Sequence, residues 1–306
     1  MTTTTKKAEL PEVKIEDLFE AGVHFGHKTS RWNPKMAPYI YGEKDKTHII
    51  DLRQTAGLMQ IALKFIYSTV KRNGRILFVG TNTQSSNLVE ECAKSCGQYY
   101  VNHRWLGGTL TNWNTISKSI KRLEDLEVIL GDENMASDYT KKEILEITRS
   151  RDRILKYLGG IRNMGGIPSA IVVMDIRKDK LAIREAKKLN IPVVGIIDTD
   201  CNPDDVDYII PGNDNAARSI KYYCDMFAAV SLVGIEESLI ESGVDLEQIS
   251  NKIKKEDSRG FAKYDKTKKA RHSHAFKQSD GDKENSKEFD SLIDGKAPKD
   301  NPQAQG

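Results

Sequence analysis

No stretch of this chain approaches the roughly 18 consecutive apolar residues that a membrane-spanning helix needs, so no membrane partner is expected. The opening MTTTTKKAELPE has neither an apolar signal core nor an arginine-rich amphipathic stretch, and neither secretion nor organelle import is expected. Cysteine is scarce, with four residues at positions 92, 96, 201 and 224. Cys92 and Cys96 lack the CxxC spacing of a zinc ribbon; reduced thiols packed as small hydrophobes in a cytosolic protein are expected. The glycine patterns that cradle phosphates are missing as well. The run RILFVG leads into TNTQSSN with one glycine, matching neither GxGxxG nor GxxxxGK[ST]. No GxSxG nucleophile motif occurs, and Asp204–Asp205 after Pro203 suit helix capping. An enzyme is therefore not expected.

A strong net charge is also absent, at +3 over 306 residues, but the charge is unevenly spread. Residues 252–277 carry +7 and residues 278–306 carry −3, leaving −1 for residues 1–251. A nearly neutral body must meet phosphates through local patches. The apolar share is 38%, and residues 252–306 hold few apolar side chains. They cannot offset their own ordering entropy, so a disordered basic and acidic tail is expected there.

Short apolar runs alternate with helical patterns. Residues 75–80, 98–101, 170–175, 193–198 and 208–211 read as strands buried on both faces. Residues 54–71, 84–96, 180–189 and 214–230 space their apolar side chains as helices. Alternation of this kind predicts an α/β fold, a doubly wound parallel sheet. Residues 109–161 break the rhythm with two long helical patterns and no strand. Their seams are Ile116, Ile120, Leu123, Leu126 and Leu130, then Ile144, Ile147, Ile154, Leu158 and Ile161. Thr140 and Glu143 form a capping box at the start of the second. A protruding α-helical hairpin, a coiled coil, is expected as an insertion. The expected domains are a flexible N-terminus at 1–12, a discontinuous α/β domain at 13–108 and 162–235, the hairpin at 109–161, and a helical remnant and tail at 236–306.

Residues 23–42, VHFGHKTSRWNPKMAPYIYG, show no helix or strand period, and two prolines forbid a continuous helix. An ordered loop is expected, whose cations Lys28, Arg31 and Lys35 suit phosphates. Trp32 either stacks on RNA or packs the loop onto the sheet. Asn102, His103, Arg104 and Trp105 lie after the second strand, where Arg104 is the candidate for contact and Trp105 suits an anchor. Lys118, Lys121 and Arg122 project from the first hairpin helix, either as a solvated, ion-paired face or as a reach into RNA. His27, Asp198 and Asp214 are candidate zinc or magnesium ligands, the aspartates lying at the carboxyl edge of the sheet. A structural histidine and a helix N-cap explain His27 and Asp214 equally well.

Four ordered blocks carry a family resemblance: residues 23–42, FVGTNTQ at 78–84, YVNHRWLGGTLTNW at 100–113, and IPVVGIIDTDCNPDDVDYIIPGNDNAARSI at 191–220. Together they resemble the bacterial small-subunit ribosomal protein S-two family over roughly residues 15 to 235. The resemblance implies a flavodoxin-like fold with the same hairpin insertion and no required cofactor. It implies small-subunit ribosomal RNA and neighbouring ribosomal proteins as partners, among them the large mRNA-capturing protein whose docking it supports. It further implies a place late in assembly, no homo-oligomer, and the bacterial cytoplasm. The family commonly has a second aspartate where this chain has Asn215, which weakens a cation site. A flavodoxin-like enzyme or nucleotide-binding protein is the alternative, with an adaptor on the same fold a third reading.

Overall fold

The five apolar runs form one parallel sheet in the computed structural model, which describes residues 10–132 and 139–242. Its strands are β4 (Ile76–Val79), β5 (Tyr99–Val101), β6 (Ala170–Val173), β7 (Val193–Ile197) and β8 (Tyr208–Pro211); β1 to β3 lie earlier in the chain. The spatial order is β5-β4-β6-β7-β8, every pair parallel, with Leu77 opposite Tyr99 and Ile171, and Val194 opposite Tyr208. This is the flavodoxin-like order, in which the second strand lies outside the first. The structure thus has the fold class that the alternation of runs predicts.

The strands read as continuous apolar runs because both faces are covered. Ile76, Phe78, Val172, Val194, Ile196 and Ile210 point into one cluster with Leu63 and Ile66 of α2 (Leu52–Lys71) and Tyr223 and Phe227 of α7 (Ala217–Glu241). Val89, Cys92, Ala93 and Cys96, on or just after α3 (Thr83–Ser95), close the same side. The alternate residues Leu77, Val79, Ile171, Val173 and Val193 are also buried, and α6 (Lys180–Lys188) packs on β7 with Ala182, Ile183 and Ala186 inside. Each fully buried Leu, Ile or Phe contributes about 1.5–3 kcal/mol. All four cysteines are free and buried.

The strand-free stretch holds α4 (Trp113–Gly131) and α5 (Lys141–Leu158), which pack against each other. In α4 Ile116, Ile120, Leu123 and Leu126 are buried as the spacing predicts, with Ile129 buried in place of Leu130. In α5 Ile154 and Leu158 are buried, and Ile144 and Ile147 half-buried. The capping box is present: Glu143 N–H donates to Thr140 Oγ1 at 3.4 Å, and Thr140 N–H donates to Glu143 Oε2 at 2.8 Å. After α5 the chain turns at Gly159–Ile161 onto the outer edge of β5. A Cβ on Gly160 would lie 2.1 Å from the Tyr100 carbonyl oxygen, so this approach requires glycine.

Residues 23–42 correct the expectation of a plain loop. After α1 (Ile15–Glu20), β1 (Phe25–Lys28), β2 (Ile40–Lys44) and β3 (Thr47–Ile50) form an antiparallel sheet in the order β1-β3-β2. Asp45 and Lys46, with φ of 51° and 59°, make the two-residue turn between β2 and β3. Such a turn needs positive φ at both positions, and Asp-Lys is not a pair that announces it. The strands stay half-exposed and pair irregularly around Gly42 and after Phe25, so no period of two shows in the sequence. Residues 10–237 lie within one compact unit. No helix among the described residues is long and apolar enough to cross a membrane. The tail expected at 252–306 and most of the N-terminus expected to be flexible lie outside the described residues.

Candidate functional site

In a doubly wound sheet a ligand binds outside the carboxyl ends of the strands, where neighbouring connections diverge. Here that crevice lies between β4 and β6, and the chain's own side chains fill it. Thr81 donates through Oγ1 and N–H to Asp179 at 2.8 and 3.3 Å. Asn82 donates to Asp175 at 3.2 Å, and the Lys178 ammonium donates to the Thr81 carbonyl at 2.9 Å and Asn82 Oδ1 at 3.2 Å. Burial raises the Asp179 pKa to about 6. The nucleotide crevice of the fold is thus occupied by an internal polar network.

The carboxyl ends of β7 and β8 are different. Asp198 follows β7 and Asp214 follows β8, and β1 brings His27 over them. His27 N–H donates to Asp198 Oδ1 at 3.1 Å and Thr199 Oγ1 at 2.9 Å. A nitrogen of His27 and an oxygen each of Asp198 and Asp214 lie within 4.8 Å of one another. The structure therefore brings together all three residues expected as ligands. His27 Nδ1 lies 2.8 Å from Asp198 Oδ2 without completing a hydrogen bond, and Nε2 lies 3.8 Å from Asp200 Oδ2. The neighbouring Asp198 carboxylate, with help from Asp200 and Asp214, outweighs burial and raises His27 to about 9. Burial, then the charge of Asp198, pushes Asp214 up to about 8.

Three further residues complete this cluster: Asp200 and Tyr223, which escaped the sequence argument, and Asn215, which stands where the family commonly has a second aspartate. Asp200 is held by Arg177 at 2.5 Å. Asn215 donates to Asp214 Oδ1 at 2.7 Å and sits 3.4 Å from His27 Nε2. The Tyr223 hydroxyl is fully buried close against Gly212, with no side-chain partner among the described residues. Buried carboxylates exceed buried cations here, and two buried polar atoms lack hydrogen bonds to other side chains. A divalent cation fits that donor set, zinc through the imidazole and magnesium through the carboxylates. His24, by contrast, is stacked on Phe19 at 4.5 Å and against Phe25 at 4.0 Å, and burial lowers its pKa. It packs rather than ligates.

The cations expected to meet RNA have distinct surroundings. Lys28 and Arg31 are exposed and make no ion pair among the described residues. Lys35 is exposed but paired with Asp204, a carboxylate any phosphate must displace. The Trp32 ring packs 5.2 Å from His48, and the residue remains 39% exposed. Lys118 and Lys121 are exposed on α4, Arg122 is half-buried there, and Arg104 is exposed after β5.

Residues 18–234 match the family Ribosomal protein S2. The chain belongs to that family. It is 58% identical over 242 residues to the small ribosomal subunit protein uS2 of Rickettsia bellii (strain OSU 85-389), covering 79% of this chain and 83% of that one. It is 52% identical to the proteins of that name from Rickettsia canadensis (strain McKiel), over 287 residues, and Rickettsia prowazekii (strain Madrid E), over 290. Both of these cover 94% of this chain and 96% of the relative.

Within the S2 block at 100–113, the chain between β5 and α4 is organised by one buried carboxylate. Glu185 of α6 accepts from Trp105 Nε1 at 3.0 Å and Gly108 N–H at 2.8 Å through Oε1. Its Oε2 accepts from Leu110 N–H at 2.9 Å, Thr111 N–H at 3.1 Å and Thr111 Oγ1 at 3.2 Å. Trp105 is only 6% exposed and is an anchor. A glutamate on a charged helix gave no sequence signal of this role, because its partners lie about 75 to 80 residues away.

Proposed function

We propose that this chain is a structural constituent of the bacterial small ribosomal subunit in the cytoplasm, binding ribosomal RNA and neighbouring ribosomal proteins and doing no chemistry. The observation that carries this is the match to Ribosomal protein S2 over residues 18–234, with relatives named small ribosomal subunit protein uS2 at 52–58% identity. The filled crevice between β4 and β6 supports it against the enzyme alternative. In this reading Lys28, Arg31, Trp32 and Lys35 form one RNA-facing element, and Arg104 with Lys118, Lys121 and Arg122 another, on a protruding α4–α5 hairpin. The basic stretch 252–277, outside the described residues, adds a third. One copy sits in each particle, without homo-oligomers, and supports docking of the large mRNA-capturing protein. A divalent ion held by His27, Asp198 and Asp214 would tie β1 to β7 and β8; its role is cohesion, not catalysis.

Sedimentation of lysate from cells bearing a tagged copy tests the assignment. Comigration with the small subunit is expected, lost progressively as salt rises, with log affinity falling by roughly 0.7 to 0.9 per phosphate contact per log unit of salt. Recovery only as free protein at low salt would overturn it.

A further inference from the structure

We propose that the cleft between α3, β5 and the carboxyl end of α5 is a seat for a single unstacked nucleotide of RNA; the proposal deepens the RNA-binding reading above and rests on it. The cleft has a volume of about 350 Å³, within the usual range of small-ligand sites. Glu90 and Lys94 of α3, Tyr100 of β5, Asn102, His103 and Lys156 of α5 line it, and Gly159–Gly160 close it with bare backbone.

Each side chain has a distinct part. The Glu90 carboxylate accepts from Lys94 Nζ at 2.5 Å, Asn102 Nδ2 at 2.8 Å and Tyr100 Oη at 3.1 Å. Its charge is thereby matched, and Tyr100 and Asn102 are fixed in place. Lys156 is exposed and has no carboxylate partner among the described residues; its ammonium lies 5.9 Å from the Tyr157 ring centre. One cation is thus available for a phosphate. His103 stands edge-on to Tyr157 at 6.5 Å. Burial, then the Lys156 charge, holds its pKa below the ordinary value, so it offers a neutral ring.

A neutral imidazole, a phenol ring, a fixed amide and one free ammonium are the groups by which proteins take an unstacked base and its phosphate. A protein side chain anchored in a pocket instead needs a desolvated apolar floor. The one large apolar residue of the lining, Leu155, is 40% exposed. The chemistry therefore favours RNA over a protein partner.

The test titrates labelled single-stranded ribo-oligomers with the full chain and with its Lys156→Ala and His103→Ala variants over a salt series. Lys156→Ala removes an exposed side chain and leaves packing intact; thermal unfolding checks His103→Ala. His103→Ala is expected to weaken binding roughly tenfold, as loss of a stacking ring does. Lys156→Ala is expected to lower the salt slope by about 0.7, one phosphate contact. Photocrosslinks from the bound oligomer are expected at Tyr100 or His103. Wild-type binding that neither variant changes, or crosslinks confined to other segments, overturns the seat and leaves the RNA reading standing. Failure of every form to bind any oligomer overturns both. Variants that keep RNA affinity but fail to recruit a neighbouring ribosomal protein during subunit reconstitution would make the cleft a protein site and refute the nucleotide.

Discussion

Replacing Glu185 with alanine removes the acceptor for all five hydrogen bonds that organise residues 105–111. A hydrogen bond to a charged group contributes about 1.5–3 kcal/mol, but the five share one carboxylate and do not add. The cost is better counted from the donors left behind. Trp105 and Leu110 are buried and Gly108 half-buried, whereas Thr111 is exposed and can turn to water. Three donors stripped of their acceptor cost about 1–3 kcal/mol each, and water entering the vacated space recovers part of that. A destabilisation of about 4 kcal/mol is expected, in a domain whose total stability is of order 5–15 kcal/mol. For a compact unit of this size that lowers the melting temperature by roughly 8–16 °C. Glu185→Gln keeps the shape and Oε1 but turns an NH₂ group toward the Leu110 and Thr111 N–H donors, so a smaller loss of about 2–3 kcal/mol is expected. Urea unfolding of the three proteins decides. A cost under 1 kcal/mol for Glu185→Ala would refute the account of this carboxylate as organiser.

Gly160→Ala drives a Cβ into the Tyr100 carbonyl and is expected to cost about 2–3 kcal/mol as overpacking; a loss below 0.5 kcal/mol in urea unfolding would show that the turn shifts freely. Asp179, with its pKa raised by burial, binds its proton more tightly folded than unfolded. Its contribution to stability therefore falls as pH rises from about 4 through 6, by about 2–3 kcal/mol in all, and unfolding curves of Asp179→Asn should lack that decline. Arg31→Ala with Lys35→Ala is expected to weaken incorporation into the small subunit while stability stays within about 1 kcal/mol, since a surface pair such as Lys35–Asp204 contributes little; unchanged incorporation counts against that RNA-facing element. Asp214→Ala is expected to abolish stoichiometric divalent metal in elemental analysis of the purified protein, and full retention would refute the ion site.

Much of the sheet was legible because strands buried on both faces leave continuous apolar runs, and all five were found within two residues at either end. The stripes of α4 and α5 were legible from their helical spacing, and the Thr140–Glu143 cap from its own motif. The antiparallel β1–β3 sheet was not. Its strands are four or five residues long, half-exposed and bulged, and its turn uses Asp45 and Lys46 where Asn-Gly would have been recognised. Of the cluster beneath β1, His27, Asp198 and Asp214 could be picked by residue type and position at strand ends. Tyr223 could not, because a tyrosine inside an apolar helix reads as core, and only the fold shows its hydroxyl buried near the carboxylates of this cluster. Glu185 stayed invisible because long-range hydrogen bonding leaves no local pattern.

The two ends of the sheet's carboxyl edge show how a ligand-binding fold can serve a structural role. Between β4 and β6, Asp175 and Asp179 lie where a nucleotide would sit, and Asn82, Thr81 and the Lys178 ammonium occupy that place. An anionic ligand would have to break a network that is already complete, and a helix N-terminus alone does not supply a replacement for it. Between β7 and β8, Arg177 answers Asp200 from the surface, His27 lies against Asp198, and burial makes Asp214 hold its proton up to about pH 8. Burying a second carboxylate beside a first is costly unless charge of opposite sign enters. The same edge is therefore closed to anions at one end, and at the other a cation could take the place of the proton on Asp214. That asymmetry is what the proposed cation beneath β1 would use, and it leaves the proposed RNA contacts to the loops and helices around the sheet, away from the crevice the fold would ordinarily use.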